Sequence, residues 1–314
     1  MKTLFVYNPR SGRNLRRVWL PGAIRDFIAT HKLEARFATT EGPGHATELA
    51  REAVETGHDV VVAVGGDGTM NEVAQGLVGT RTALALVPCG SGNGLALHLG
   101  LPRAPLAALQ LASGAGGRIV ALDTGMANGR PFFNAMGLGL DADVSRRFNL
   151  LTKRGLPAYA RVAFSAIRQM RTERCTIRGA GRSETLDVLL IAVANSDQYG
   201  NNALIAPGAR VDDGQLDLVA VRGVGLFGAA TLVPRLFLGS FDRSPHVTRL
   251  TGPRFTIERA APGLIHTDGE THATGARIEV EVRPGSLRVL VPEACRAVAT
   301  VAAAPAVRVA VQTP

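Results

Sequence analysis

Three short stretches of this chain combine glycine with polar groups in a pattern suited to phosphate chemistry. The most specific is Val60–Val73, VVVAVGGDGTMNEV. An unbroken β-branched run delivers Gly65 and Gly66 at its end, where backbone N–H groups unshielded by a Cβ approach a phosphate and a following helix N-terminus adds its dipole. Asp67 sets a carboxylate among those groups. Beside phosphate that carboxylate is poorly tolerated unless it holds Mg²⁺ or takes a proton. The second stretch, PCGSGNGLAL (88–97), offers the Ser91 hydroxyl and the Asn93 amide after Gly90. The third, Asn8-Pro9-Arg10-Ser11-Gly12, follows the first apolar run. Turns of this kind on successive strand ends of one sheet converge on one edge and describe a nucleotide site.

The elements needed to position those turns are legible in the hydrophobic pattern. Residues 4–7, 33–39, 59–64 and 83–87 read as strands, with helices expected over 14–31, 46–56 and from about Met70. Strand–glycine turn–helix units give a parallel sheet with helices on both faces. After residue 118 the rhythm changes to strands at 118–125, 131–137, 184–195, 216–221, 254–258, 277–283 and 286–291. Asn128-Gly129 marks a hairpin, and Pro284-Gly285 is read as a turn between the last two strands. The fold class expected is therefore α/β: an N-terminal parallel-sheet nucleotide-binding domain (1–124), then an antiparallel β-rich domain (125–295). Residues 296–314 form an Ala/Val/Pro tail or a terminal strand. Within the second half, Tyr159, Val162, Ala163, Ala166, Ile167 and Met170 recur at helical spacing, with Arg161 and Arg168 on the opposite face.

The residues also resemble a known family, that of the diacylglycerol kinase catalytic domain, which includes bacterial lipid kinases and the sphingosine and ceramide kinases. The resemblance spans nearly the whole chain: NPRSG (8–12), TTEGPGHATELA (39–50), GGDGTMNEV (65–73), PCGSGNGLA (88–96), FFNAMGLGLDADV (132–144), APGARVDDGQLDL (206–218) and HTDGE (266–270). It implies a β-sandwich-like second domain and an interdomain cleft. It further implies that ATP is contacted by Asn8, Pro9, Arg10, Ser11, Gly12 and Thr40. Gly65, Gly66, Asp67, Gly68, Thr69, Met70, Asn71 and Glu72 join them, as do Gly90, Ser91 and Asn93. Asp67 would organise the catalytic Mg²⁺, Glu270 would accept the proton of a lipid hydroxyl, and Asp268 would lie close by. A structural Mg²⁺ would be held by the Asp213 carboxylate with the backbone carbonyls of Arg210 and Gln215. Where many bacterial relatives read GTGND, this chain has Gly90-Ser91-Gly92-Asn93-Gly94, closer to the sphingosine and ceramide kinase branch. An NAD kinase also carries GGDGT, but that alternative leaves NPRSG and the late DGE unexplained.

Composition narrows the remaining possibilities. Hydrophobic residues make up 46% and charged residues 19% of 314, which is globular and excludes a disordered chain. Aromatics are sparse (11 Phe, 3 Tyr, 1 Trp), which leaves little material for stacking nucleic-acid bases, and no nucleic-acid partner is expected. The formal charge is +9. Residues 146–182 hold ten bases against the single acid Glu173, so the excess resides there. A basic stretch of that kind suits an anionic membrane surface, where a lipid substrate would be met. The longest uncharged run, between Arg81 and His98, has 16 residues and is broken by Pro88, too short for a membrane span. Cys89, Cys175 and Cys295 have neither metal-ligand nor disulfide-framework spacing. The expectation is a cytoplasmic protein peripheral to the inner face of the membrane, with a homo-oligomer left open.

Overall fold

The computed structural model describes residues 1–149 and 172–298. The chain begins β1 (Thr3–Tyr7), α1 (Leu20–Thr30), β2 (Ala35–Thr39), α2 (His45–Glu55), β3 (Val60–Gly65), α3 (Asp67–Leu77) and β4 (Ala83–Pro88). Two shorter helices follow, α4 (Gly94–His98) and α5 (Pro105–Ala112). β4, β3, β1 and β2 are adjacent and parallel, in that order. The unbroken apolar run of β3 has a simple cause. Val61 and Ala63 pack with Leu49, Ala53, Val73 and Leu77 of α2 and α3. Val60, Val62 and Val64 pack with Leu20, Ile24, Ala108 and Leu109 of α1 and α5. Both faces are buried, so every position is apolar.

The expected helix over 14–31 is two pieces: a 3₁₀ turn at Asn14–Arg16, then α1 from Leu20. Pro21 explains the restart, since proline suits the first turn of a helix and not its interior. α3 begins at Asp67 rather than near Met70, which places the Asp-Gly-Thr of the motif in its first turn.

The second half runs β5 (Gly117–Ala127), β6 (Arg130–Phe132), β7 (Ala135–Gly139), α6 (Leu140–Asn149), β8 (Glu173–Gly179), β9 (Arg182–Ala194) and β10 (Leu216–Arg222). It ends with α7 (Leu226–Phe237), β11 (Val247–Gly252), β12 (Arg254–Arg259), β13 (Gly263–Thr267), β14 (Glu270–Thr274) and β15 (Arg277–Pro292). These strands are antiparallel and enclose a second core of Phe132, Met136, Ile177, Ile191, Val193, Leu218, Ile257 and Ile278.

The expected turn at Pro284-Gly285 is not a reversal. Both sides of it belong to β15 and pair with the same strand β5, with Arg283 opposite Thr124 and Leu287 opposite Leu122. The extra residues form a bulge rather than a hairpin. Beyond the bulge β15 pairs in parallel with β4 through Val289 and Leu84, so one continuous sheet path links the two halves. A boundary at residue 124 falls inside β5. The 159–170 stripe, Lys153, Arg154, Arg161, Arg168 and Arg171, and the tail from 299 onward lie outside the described residues.

Candidate active site

The three glycine-bearing turns meet at the C-terminal edge of the parallel sheet. Asn8 N–H donates to Val64 O, and Cys89 N–H donates to Gly65 O, so the exits of β1, β3 and β4 are stitched together. Thr40, at the end of β2, donates its N–H to Tyr7 O and completes the row. The backbones approach so closely that a Cβ on Gly90 would lie 2.6 Å from Gly66 Cα. Glycine at these positions lets one turn rest against the next, a demand separate from any phosphate.

Side chains then lock the turns. The Asn8 side-chain amide donates to Thr69 Oγ1 at 2.9 Å, and Arg10 N–H donates back to Asn8 Oδ1 at 2.9 Å. Gly66 N–H donates to Ser11 Oγ at 2.6 Å. Asn93, in the left-handed region at φ 54°, accepts from Gly90 N–H and donates to Gly90 O. Asp67 closes the arrangement: Oδ2 accepts Asn93 N–H and Oδ1 accepts Gly94 N–H, both at 2.8 Å. Several amides expected to face a phosphate are thus engaged within the protein. The donors left over are the first-turn amides of α3, which have no intrahelical acceptor, and the exposed Ser91. Gly68 has open space around it, Met70 is buried in the core, and the Glu72 carboxylate accepts Ala46 N–H at the start of α2. Of this set, Met70 and Glu72 therefore turn their side chains to packing and helix support.

The acidic segment forms a second feature. Thr267-Asp268-Gly269-Glu270 is the two-residue hairpin joining β13 and β14, with φ 50° at Asp268 and 87° at Gly269. Those values are the type I′ turn for which Asp-Gly is suited. Asp268 points back under the turn and accepts three backbone N–H groups, from Phe133 at 2.7 Å, Asn134 at 2.8 Å and Ala135 at 3.1 Å. Burial pushes its carboxyl up to about 6, opposed by those three bonds and by His266. Glu270 opens β14 and is exposed. The two features are neighbours, because Gly94 sits against Asn134: a Cβ there would come 3.3 Å from Asn134 Oδ1. Gly94, whose amide Asp67 holds, therefore rests against Asn134, whose amide Asp268 holds. The same crowding leaves little space at Gly94 for the carboxylate of GTGND.

Sequence reasoning missed two groups of residues. The first is a buried cluster beneath the hairpin, in which His266 Nε2 stands 2.9 Å from Asp141 Oδ2, within ion-pair distance though off hydrogen-bond geometry. The Tyr199 hydroxyl donates to the same oxygen, and Gly269 N–H donates to His266 Nδ1 at 3.2 Å. Burial alone would lower the His266 pKa, but Asp141, then Asp268, outweigh it and hold it above the ordinary value. The signal was present in HTDGE and GLGLDADV, which bring a histidine and an aspartate near the motif.

The second is Asp123, buried on β5 beside the bulge. Its Oδ1 accepts Gly285 N–H at 2.8 Å and its Oδ2 accepts Gly214 N–H at 2.7 Å. This anchors the 210–215 loop, in which Asp213 Oδ1 accepts Gln215 N–H, while Arg210 pairs with Asp212. Burial raises the Asp213 pKa, and the nearby Asp217, Asp123 and Asp212 carboxylates add to the rise against the Gln215 bond. Excess negative charge of this kind fits a cation. Among the described residues no three acidic, His or Cys side chains are grouped to hold a metal. A cation at this loop would have to rely on the Asp213 carboxylate with backbone carbonyls, oxygen donors of the kind a partly hydrated Mg²⁺ takes.

Comparison with known proteins now decides the family. Residues 2–127 match the diacylglycerol kinase catalytic domain, and residues 134–291 match the YegS C-terminal NAD kinase beta sandwich-like domain. The chain belongs to the diacylglycerol kinase catalytic-domain family. A relative named "Probable lipid kinase YegS-like" from Cronobacter sakazakii is 31% identical over 274 residues, covering 84% of this chain and 88% of the relative. One of the same name from Citrobacter koseri is 30% identical over 283 residues, covering 87% and 90%. Among solved structures, "a putative diacylglycerol kinase from Bacillus anthracis str. Sterne" superposes with TM-score 0.78 at 25% identity, over 94% of this chain and 96% of that one. The kinase assignment and the two-part fold, parallel sheet then β-sandwich-like domain, agree with the expectation. Among the described residues no helix is long and apolar enough to cross a membrane.

Proposed function

We propose that this lipid-kinase family member transfers the γ-phosphate of ATP to the hydroxyl of a membrane lipid of the diacylglycerol or sphingoid type, with Mg²⁺. The observation that carries the assignment of roles is the contrast between two carboxylates. Both oxygens of Asp67 already accept backbone N–H groups, whereas Glu270 is exposed at the lip of a rigid turn. Those two bonds commit the Asp67 carboxylate to its own turn, while the Glu270 side chain is left to face an acceptor. Glu270 is therefore the base, needing to lie within about 3 Å of the acceptor hydroxyl or one water away.

Phosphoryl transfer asks the protein mainly for positioning and charge neutralisation. Bound Mg²⁺ supplies charge neutralisation on the phosphates, and Asp67 is the acidic group at that edge. The first-turn amides of α3 and the Ser91 hydroxyl orient the phosphates. Asn8 and Ser11 fix the turns around them. A second Mg²⁺ at Asp213, Arg210 and Gln215 would hold the interdomain loop in place rather than take part in transfer. Contact with an anionic membrane surface is supported by the basic segment 146–182. Of its described members Arg146 and Arg147 pair with Asp143, and Arg178 pairs with Glu258.

The test is phosphorylation by labelled ATP and Mg²⁺ of a lipid panel (diacylglycerol, a sphingoid base, ceramide, phosphatidylglycerol), with an NAD arm. Glu270→Gln is expected to slow lipid phosphorylation by at least ~10²-fold with ATP binding retained. Full turnover in that variant removes Glu270 as base. Product from NAD and none from any lipid moves the assignment to a soluble substrate, a reading favoured by the shared GGDGT and by the sandwich's likeness to NAD kinase.

A further inference from the structure

We propose that Asp141 is a positioning residue for phosphoryl transfer, coupling the turn that carries Glu270 to the nucleotide turn through His266 on one side and Tyr199 on the other. The inference rests on Glu270 being the proton acceptor.

Asp141 lies in the first turn of α6, where the helix dipole favours an anion, and its side chain is 5% exposed. A buried carboxylate is costly unless partnered. Its partners come from two directions. On one side is His266, also 5% exposed, 2.9 Å from Oδ2. Gly269 N–H donates to His266 Nδ1, so the other ring nitrogen, Nε2, is the one left beside Asp141. Gly269 is the residue immediately before Glu270, so the orientation of the imidazole sets the orientation of the turn.

On the other side is the Tyr199 hydroxyl. Tyr199 belongs to a loop seated on the nucleotide turn. Asn201 N–H donates to Gly92 O at 3.3 Å, and a Cβ on Gly200 would come 3.1 Å from Gly92 Cα. Asp197 Oδ1 meets His98 Nδ1 at 2.6 Å in the same loop. Asp141 is thus touched both by the support of the base and by the support of the nucleotide.

Gly137 shows how tightly the cluster is built. It faces His266 across the β7–β13 ladder, and a Cβ there would lie 2.2 Å from Asp141 Oδ2 and 2.7 Å from His266 Nε2. A buried polar cluster of this sort adds little stability over an apolar one of equal volume. What it supplies is a single allowed arrangement, and transfer rates are sensitive to ångström-scale misplacement.

The experiment compares wild type, Tyr199→Phe, Asp141→Asn and Glu270→Gln. Tyr199→Phe removes one hydroxyl and keeps the ring, so it carries the test if Asp141→Asn fails to fold. The expected result is kcat for lipid phosphorylation lowered about tenfold, with KM for ATP within roughly twofold of wild type and, in Tyr199→Phe, a melting temperature within about 3 °C of wild type. Amide hydrogen exchange in the 266–270 turn is expected to quicken about tenfold in both variants while β10 keeps its protection. Wild-type kcat in Tyr199→Phe, or a lowered melting temperature with kcat intact, overturns the proposal. So does unaltered exchange of the turn, which is read without any assay of turnover. A fully active Glu270→Gln instead overturns the functional reading and leaves the exchange result to judge the coupling alone.

Discussion

Asp268 and Glu270 are two residues apart, both acidic, and the structure gives them opposite jobs. Replacing Asp268 with alanine removes the acceptor for the N–H groups of Phe133, Asn134 and Ala135, which belong to residues 1%, 7% and 2% exposed. The void left by a carboxylate admits one water, which satisfies one donor and leaves two orphaned. At 1–3 kcal/mol for each buried unsatisfied group the cost is about 4 kcal/mol. That is a large share of the 5–15 kcal/mol typical of a whole domain. At about 3 °C per kcal/mol the melting temperature falls by about 12 °C. Glu270→Gln, by contrast, alters an exposed side chain with no hydrogen-bond partner among the described residues, and is expected to melt within about 1 °C of wild type. Scanning calorimetry on both variants, run beside the phosphorylation assay, separates them: one loses stability, the other turnover. If Asp268→Ala melts with wild type, the three-amide anchor is not holding the hairpin and the placement of Glu270 argued from it is wrong.

Three further outcomes follow from the same geometry. Gly137→Ala forces apart a buried ion pair and is expected to lower the melting temperature by at least ~6 °C, corresponding to about 2 kcal/mol of overpacking; a neutral result would mean β7 can move aside. The Asp268 carboxyl is pushed up to about 6, so its contribution to stability is complete below the ordinary carboxylate range and is lost as pH rises through 6. The stability difference between wild type and Asp268→Asn should therefore be larger at about pH 4 than at about pH 7, and a pH-independent difference in denaturant midpoints contradicts the raised value. Mg²⁺ is expected to raise the wild-type melting temperature and to lose most of that effect in Asp213→Asn; equal shifts in both proteins would remove the 210–215 loop as its site.

The sequence carried the parallel half of the fold in plain view because every residue of β3 is buried, and a strand covered on both faces announces itself as a solid apolar run. α3 was placed late because Asp-Gly-Thr are weak helix formers whose presence in the first turn is decided by their contacts with the neighbouring turn, not by propensity. In the second half, β8, β11, β13 and β14 went unread. Their sequences alternate poorly, as in ETHAT of β14, because much of that hairpin faces solvent. Pro284-Gly285 spelled a reversal that the long pairing of β15 with β5 overrides. The turns of the site were legible because glycine and asparagine at strand ends have few other uses. The Asp141–His266–Tyr199 cluster was not, since its members lie far apart in the chain and are brought together by the β7–β13 register, the start of α6 and the loop around Tyr199.

The strands β5 and β15 run through both halves of the molecule and are hydrogen-bonded to each other along most of their length. No cut near residue 124 can yield two self-sufficient modules. Either fragment, expressed by itself, would present a raw row of unsatisfied amides and carbonyls, the kind of edge on which chains aggregate. For this scaffold, insertions and permuted termini belong in exposed turns such as Ala180-Gly181, and the two halves are joined by a shared ribbon rather than by a free hinge.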